Sequence, residues 1–431
     1  MTDERSGLMR GFVALQHRGY RLLFYSTATS GVGGQLQQTA NMWRIFALTS
    51  SALHLGLNGL ARAIPIILFS LIGGVIADRV DRKKIIVSTQ IANAAVVLTL
   101  ALLSFTDHVQ VWHIYAATFL NASFMAVSIP ARRAVIASLV PREHLVNAMG
   151  LNATVNQIQR IVAPSLAGVL IAAFGLPVTY ALNGVLHFVT ATNLSRVPLG
   201  PLPERPQRSP IRDLMEGLAF VRMRSIILVL LMTDTAAMLF GSYQVLLPIF
   251  AASHDVGPAG FGLLSSAPAI GSLIGATTIM YLGDFPYKGR MITAAILCYC
   301  CFLVVLGLSP WFWLAFLAAA GLGLSDSMQS TPRNAAIQLM SPDALRGRVT
   351  SFQQMLVNGG PALGQSAMGS VAGALGAPVA LIGGAIICAA VNIGIFIQRQ
   401  DLRAREMGTA AEADAFNAEA TDVAVGTTRS R

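Results

Sequence analysis

Twelve runs of mainly apolar residues follow one another along the chain. Their cores lie at 21–46, 54–77, 85–105, 111–130, 146–173, 176–196, 225–250, 259–282, 291–309, 311–331, 349–373 and 378–398. Each is close to the ~20 residues that carry a helix across a bilayer. The pattern predicts an all-α membrane protein of twelve transmembrane helices. The first, fifth and eleventh runs are rich in polar and small residues, as in helices that face protein or water. The longest polar connection, 197–224, holds Pro198, Pro201, Pro203, Pro206 and Pro210 and divides the runs six and six. Within it, residues 211–223 carry apolar side chains at helical spacing, which predicts a short amphipathic helix on the membrane surface. The organisation expected is a cytoplasmic N-terminus (1–20), a six-helix bundle (21–197), a cytoplasmic linker (198–224), a second bundle (225–400) and a disordered tail (401–431).

Composition agrees. Of 431 residues, 54% are hydrophobic and 12% charged, about half the charged fraction of a soluble chain. The net charge of +10 is explained by where the bases stand. If the N-terminus is cytoplasmic, 27 of the 30 Lys and Arg fall in inward segments, Arg333 among them as part of 332–348. The other three, Arg44, Arg62 and Arg160, fall inside spans, and the outward loops hold none. This bias places both termini in the cytoplasm. It assigns the bases to orientation and lipid contact and leaves no nucleic-acid surface. Cys298, Cys300, Cys301 and Cys388 lie in apolar runs and read as small fillers, not as a disulfide or metal framework. No small-residue cleavage site follows a short apolar core near the start, so the first helix is expected to stay in the membrane.

The halves repeat one another. Ser128-Ile-Pro130-Ala-Arg132-Arg133 with Pro141 and Leu145 matches Ser330-Thr-Pro332-Arg333 with Pro342 and Leu345, and Pro164 and Pro361 follow in the next spans. Such a repeat marks a transporter built of two related bundles. The loop after the second span reads Gly73-Gly74-Val-Ile-Ala-Asp78-Arg79-Val-Asp81-Arg82-Lys83-Lys84. It resembles the cytoplasmic loop motif of the major facilitator superfamily at Gly74, Asp78, Arg79, Arg82 and Lys83. Asp81, where that pattern prefers Gly, is similar to the branch of drug and siderophore exporters that holds the enterobactin exporter and macrolide efflux pumps. Gly283-Asp284 with Lys288 and Arg290 is a worn second copy. Arg18-Gly-Tyr20-Arg21, Leu48 to Gly56 and Leu345 to Val349 also resemble that branch, and the likeness covers roughly residues 12–400. It implies the major facilitator fold, two six-helix bundles related by pseudo-twofold symmetry, with Gly74, Asp78, Arg79, Asp81 and Arg82 as a conformational latch. Lys83 and Lys84 read as topology anchors.

Of the 20 acids, only Asp234 and Asp326 lie inside spans. A charge there costs about 2.5–3.5 kcal/mol on insertion scales, so it faces a cavity or a partner. In the resembled fold the first, fourth, seventh and tenth helices line the cavity, which makes Asp234 and Asp326 the proton-coupling candidates. Arg62, Arg160 and His187 are the intramembrane basic partners or substrate contacts, with a hydrogen-bonded core role as the plainer reading of His187. Arg44 reads as a snorkelling residue near the outer end of the first helix. Gln35, Gln38, Asn156 and Gln157 are candidate cavity-lining polar residues, or pair across helices. Ala163-Pro164-Ser165-Leu-Ala-Gly168 is a loose form of the exporters' fifth-helix pattern. Trp43, Trp112, Trp311 and Trp313, near outer ends, read as an interfacial belt.

The chain has no phosphate loop, zinc-ligand pair or nucleophile elbow. It is therefore expected to be no enzyme, to need no cofactor or metal, and to draw on an ion gradient. The expectation is a monomeric, proton-coupled exporter of a small amphipathic molecule in a bacterial inner membrane, with lipids, protons and that solute as its partners. Uptake, lipid movement or a non-transporting sensor or scaffold are the alternatives on the same fold.

Overall fold

The computed structural model describes residues 12–79, 81–198, 210–283 and 285–403, and all regular structure among them is helical. The long helices are α1 (Arg18–Thr49), α2 (Ala52–Arg79), α3 (Arg82–Phe105), α4 (Val111–Leu139), α5 (Leu145–Ser195), α6 (Pro210–Met223), α7 (Ser225–Phe240), α8 (Leu247–Ser253), α9 (Gly257–Leu282), α10 (Lys288–Gly307), α11 (Phe312–Leu339), α12 (Asp343–Leu375) and α13 (Ala377–Gln398). Every apolar run lies on one or more of these helices.

Among the described residues, eight segments are long and apolar enough to cross a membrane. Helices α1, α11 and α12 are as long but more polar. Large apolar side chains such as Leu102, Phe188, Met280 and Ile397 stand on the surface. So much exposed apolar area is stable only against lipid. The chain is a multi-pass membrane protein.

Two predicted gaps, 174–175 and 374–377, narrow to a single residue each. The fifth and sixth runs form one continuous element, α5, broken only at Gly175, whose φ of 78° and ψ of 172° lie outside helical space. The eleventh and twelfth runs meet in the same way at Gly376, with φ 87° and ψ 154°. The sequences there, Gly175-Leu-Pro177-Val and Gly376-Ala-Pro378-Val, repeat each other. Glycine supplies the backbone angles and the proline two residues on starts the next helix. The seventh run is not one helix. It stops at Phe240 and resumes as a short 3₁₀ turn, Gln244–Leu246, and then α8. The N–H of Gly241 closes the last turn of α7, and the Tyr299 hydroxyl takes up the Gly241 carbonyl at 2.7 Å. The short amphipathic helix expected in the linker is present as α6.

Two compact units result. One holds residues up to Pro210 together with Leu247–Ser266, the other Ile211–Leu246 with Ala267 onwards. In the first, α5 packs along α1 and α3, and α2 along α4. Its core alternates large and small residues: Leu23, Ile85, Ile86 and Leu194 against Ala131, and Tyr180 and Leu100 against Ala40 and Ala117. In the second, α10 packs on α11 and α13, and α12 and α13 on α7. There α9 meets α11 backbone to backbone. A methyl group on Gly271 would sit 1.7 Å from the Ala320 carbonyl oxygen, and one on Gly323 1.8 Å from that of Pro268. Lacking a hydrophobic drive between helices, membrane proteins gain packing from such close approach.

Gly175→Ala and Gly376→Ala are each expected to destabilise the folded protein by about 1–3 kcal/mol, the cost of backbone angles that suit only glycine. Gly150→Ala, in a helix with nothing within 4 Å of the new methyl, is the control. Thermal unfolding in detergent, compared across the three variants, checks this.

Candidate functional site

The second unit contains a charge network inside its helices. Asp234 lies nine residues into α7 and is 4% exposed. Arg333, 2% exposed, lies on α11 and donates from its guanidinium to the Asp234 carboxylate. The same guanidinium nitrogen donates to Gln329 Oε1 at 2.9 Å, and Gln329 Nε2 donates to Asp326 Oδ1 at 3.2 Å. Asp326, Gln329 and Arg333 stand at i, i+3 and i+7, which places them on one stripe of α11. Asp326 is exposed. The chain of groups thus runs from an open carboxylate through an amide and a guanidinium to a buried carboxylate on a second helix. In lipid such a pair holds only if each charge keeps its partner.

Arg333 is the residue that sequence reasoning missed. It was assigned to the inward loop because the tenth run ends in front of Pro332. Helix α11 instead continues through Pro332 to Leu339 and carries Arg333 into the interior. The available signal was the seven-residue spacing from Asp326.

The first unit carries the related proline with different chemistry around it. Arg132, on α4 two residues after Pro130, donates to Ser30 Oγ on α1 at 3.1 Å. Here the arginine that follows the proline meets a hydroxyl, not a carboxylate. His187 is buried and bonded through Nδ1 to Gln90 Oε1 at 2.8 Å. Gln37 and Asn93 both accept from Asn121, at 3.2 Å each. Tyr180 donates to Asn41 Oδ1 at 3.0 Å, and Asn41 to Thr118 at 3.2 Å. These pairs knit α1, α3, α4 and α5 together. Gln35, Gln38 and Gln157 are half-buried, and Asn156 is exposed. Arg62 is half-buried on α2 and Arg160 exposed on α5.

At the motif loop, Asp81 caps α3, accepting from the Lys83 N–H at 2.8 Å, and Arg82 is buried. Lys83 does more than orient the chain: its ammonium group bonds the Val197 carbonyl at 2.9 Å and ties α3 to the end of α5. Gly74, Asp78 and Arg79 fall in the last turns of α2, and their side chains lie outside the described residues. Trp43 departs from the belt reading. It is half-buried and stacks on Phe261 with centroids 5.7 Å apart, whereas Trp112, Trp311 and Trp313 are exposed. Cys300 and Cys388 are buried, Cys298 and Cys301 exposed. Within the same unit α5 touches the start of α9. Ser165 Oγ lies 2.8 Å from Ser266 Oγ, and a methyl on Gly168 would sit 2.9 Å from the Gly262 Cα.

A multi-pass helical protein with charges buried between its helices has the architecture of a solute carrier, and solved structures of that class share the fold. The chain matches the nucleoside transporter NupG with a TM-score of 0.66 at 14% identity, over 88% of this chain and 99% of that one. It matches a bacterial homologue of the human lysosomal transporter Spinster at 0.67 and 15%, over 90% and 98%. The chain belongs to the transmembrane secretion effector family of the major facilitator superfamily, whose model matches residues 9–430. It is 25% identical to the enterobactin exporter EntS of Citrobacter koseri and 24% to that of Escherichia coli O81, each over 88% of this chain and 91% of the relative.

Two measurements probe this geometry. Asp234→Asn and Arg333→Gln, each leaving one buried group without its partner, are expected to cost about 3–5 kcal/mol. The double variant is expected to cost much less than the sum, as a thermal-unfolding double-mutant cycle reads directly. Separately, Ser165→Cys with Ser266→Cys is expected to form a disulfide on mild oxidation. With a protease site placed in 198–224, the two fragments then stay joined on a non-reducing gel.

Proposed function

We propose that the protein is a secondary active exporter that couples proton entry to the outward movement of a small amphipathic organic molecule, siderophore- or drug-like, by alternating access. It works as a monomer in the inner membrane of a bacterium. Twelve helices, grouped six and six about the 198–224 connection, carry it, with both termini in the cytoplasm. The placement of 27 of 30 basic residues in inward segments supports that orientation. The name borne by its relatives supports a siderophore-like cargo. The protein moves its solute without making or breaking a bond in it, and needs no cofactor.

The observation that carries the coupling is the buried Asp234–Arg333 pair with its connection to exposed Asp326. With Asp234 ionised, Arg333 has its counter-charge, and α7 and α11 are held together. A proton on Asp234 removes that charge. Arg333 is then a cation without compensation, which favours a different packing of the two helices. Asp326 meets the proton first, and Gln329 passes its change of charge to Arg333 as a change in hydrogen bonding. One charge crossing 100 mV supplies about 2.3 kcal/mol, enough for nearly fifty-fold accumulation. The 74–82 motif acts as a latch on one state, through Gly74, Asp78, Arg79, Asp81 and Arg82.

The test is efflux of siderophores, macrolides and dyes from a host deleted for its own exporters, with and without a protonophore. Wild-type protein is expected to lower retention at least ten-fold, and the protonophore to remove that effect. Asp234→Asn at matched expression is expected to abolish protonophore-sensitive efflux, and Asp326→Asn to weaken it. Undiminished, protonophore-sensitive efflux in both variants would rule out the coupling role.

A further inference from the structure

The N-termini of two helices in the first unit meet through a pair of imidazoles. His17 is the residue before the first turn of α1, and His144 the residue before the first turn of α5. His17 Nε2 lies 3.0 Å from His144 Nδ1. The ring centroids are 5.3 Å apart, close to the nitrogen–nitrogen distance plus the two ring radii. The nitrogens therefore face each other head on, and the space between them holds one proton.

The pair belongs to a clasp. The 3₁₀ turn Val13–Gln16 passes into α1 through the extended backbone of His17, with φ −76° and ψ 113°. Before that bend, the Ala14 N–H donates to Asn147 Oδ1 at 3.1 Å, and Ala14 is buried against Val140 and Ala148. After it, the Tyr20 hydroxyl donates to the Ala148 carbonyl at 2.7 Å and accepts from Asn152 at 3.0 Å. Tyr20 is fully buried, so α1 keeps its own hold on α5 whatever the imidazoles do. The 3₁₀ turn is held by less: the Ala14 contacts, the packing of Leu15 and the His17–His144 bond.

Charge around the pair is mainly positive. Arg18 and Arg21 stand on the first turn of α1 and Arg142 on the 3₁₀ turn Arg142–His144, all exposed; the acid beside them is Glu143, also exposed. The turn Val13–Gln16 and residues 145–159 of α5 hold no charged side chain. Arg132 of α4 is bonded to Ser30, ~20 Å further along α1, and the side chain of Arg133 lies outside the described residues. Each helix also turns its positive end toward the pair. Both rings are half-buried and so reach solvent. An imidazole changes charge between about pH 5 and 8. Two neutral rings keep the bond, and so does one charged ring facing a neutral one. Two charged rings do not: both nitrogens then carry a hydrogen, like charges stand head on, and a positive helix end lies behind each.

We infer that His17 and His144 form a proton-operated clasp, which docks the N-terminal 3₁₀ turn onto the start of α5 while at least one ring is neutral and frees it when both are charged. In the orientation proposed above the clasp faces the cytoplasm and answers to internal acidity separately from Asp234. The clasp itself does not rest on the transport reading.

Hydrogen–deuterium exchange of full-length protein in nanodiscs tests it, read on peptides covering residues 12–20 and corrected for the intrinsic pH dependence of exchange. From about pH 7.5 to about pH 5, wild-type protection of this segment is expected to fall at least ten-fold, while that of residues 21–30 holds. His17→Gln puts an amide where Nε2 stands. That amide accepts from a charged His144 and donates to a neutral one, so the segment is expected to stay protected at both pH values. His17→Ala is expected to leave it unprotected at both. Equal wild-type protection at the two pH values overturns the inference, as does a pH dependence that His17→Gln retains. A fall that extends through residues 21–30 also overturns it, because acid then loosens the whole unit and not the clasp. Where His17→Ala does not fold, the wild-type comparison and His17→Gln still decide.

Discussion

Lipid offers no hydrogen bonds, so a charge inside the membrane has to find its partner within the protein, and the Asp234–Arg333 pair is where this chain meets that demand most fully. Both groups are almost wholly enclosed. Neither is tolerable alone, so α7 and α11 are bound to each other by need as well as by fit. Gln329 satisfies a further guanidinium hydrogen-bonding position and carries the network to Asp326. Only at Asp326 does the network reach an open surface. The arrangement is a carboxylate at the surface, an ion pair in the interior and a non-titrating amide between them.

The two units carry related frames with unlike electrostatics. Pro130 on α4 corresponds to Pro332 on α11, and an arginine follows each, two residues on in α4 and one residue on in α11. One arginine finds Ser30 and the other Asp234. The arginine on α11 is neutralised in place by a carboxylate, whereas the one on α4 meets a hydroxyl. The halves of a duplicated frame can take different tasks in this way with few changes to the packing beneath.

Much of this was legible in the sequence, because the length and apolar content of a membrane helix are forced by the bilayer. The positions of Asp234 and Asp326 were legible for the same reason: an acid in an apolar run stands out. Arg333 was not, since proline commonly ends helices in water. In a membrane helix, neighbouring helices re-satisfy the freed backbone group, and α11 runs on. Lys83 looked like one base among several, and only the fold brings Val197 to it. Trp43 has the sequence surroundings of an interfacial residue, and its partner Phe261 is more than two hundred residues away. Distant pairings of this kind leave no local trace. The glycine–proline repeat did leave one, in residues 175–178 and 376–379, at the opposite ends of the spans from the prolines that first revealed the duplication.

That repeat has a mechanical consequence. At Gly175 and at Gly376 one helix passes into the next through a single residue outside helical geometry. A connection of one residue has almost no slack. The two arms of each hairpin cannot slide or turn independently, as helices joined by a long loop can. Each pair therefore behaves as a stiff lever with its elbow at one membrane surface, and a small tilt imposed at the elbow becomes a larger sweep at the far ends of the arms, about thirty residues away along the first and about twenty along the second.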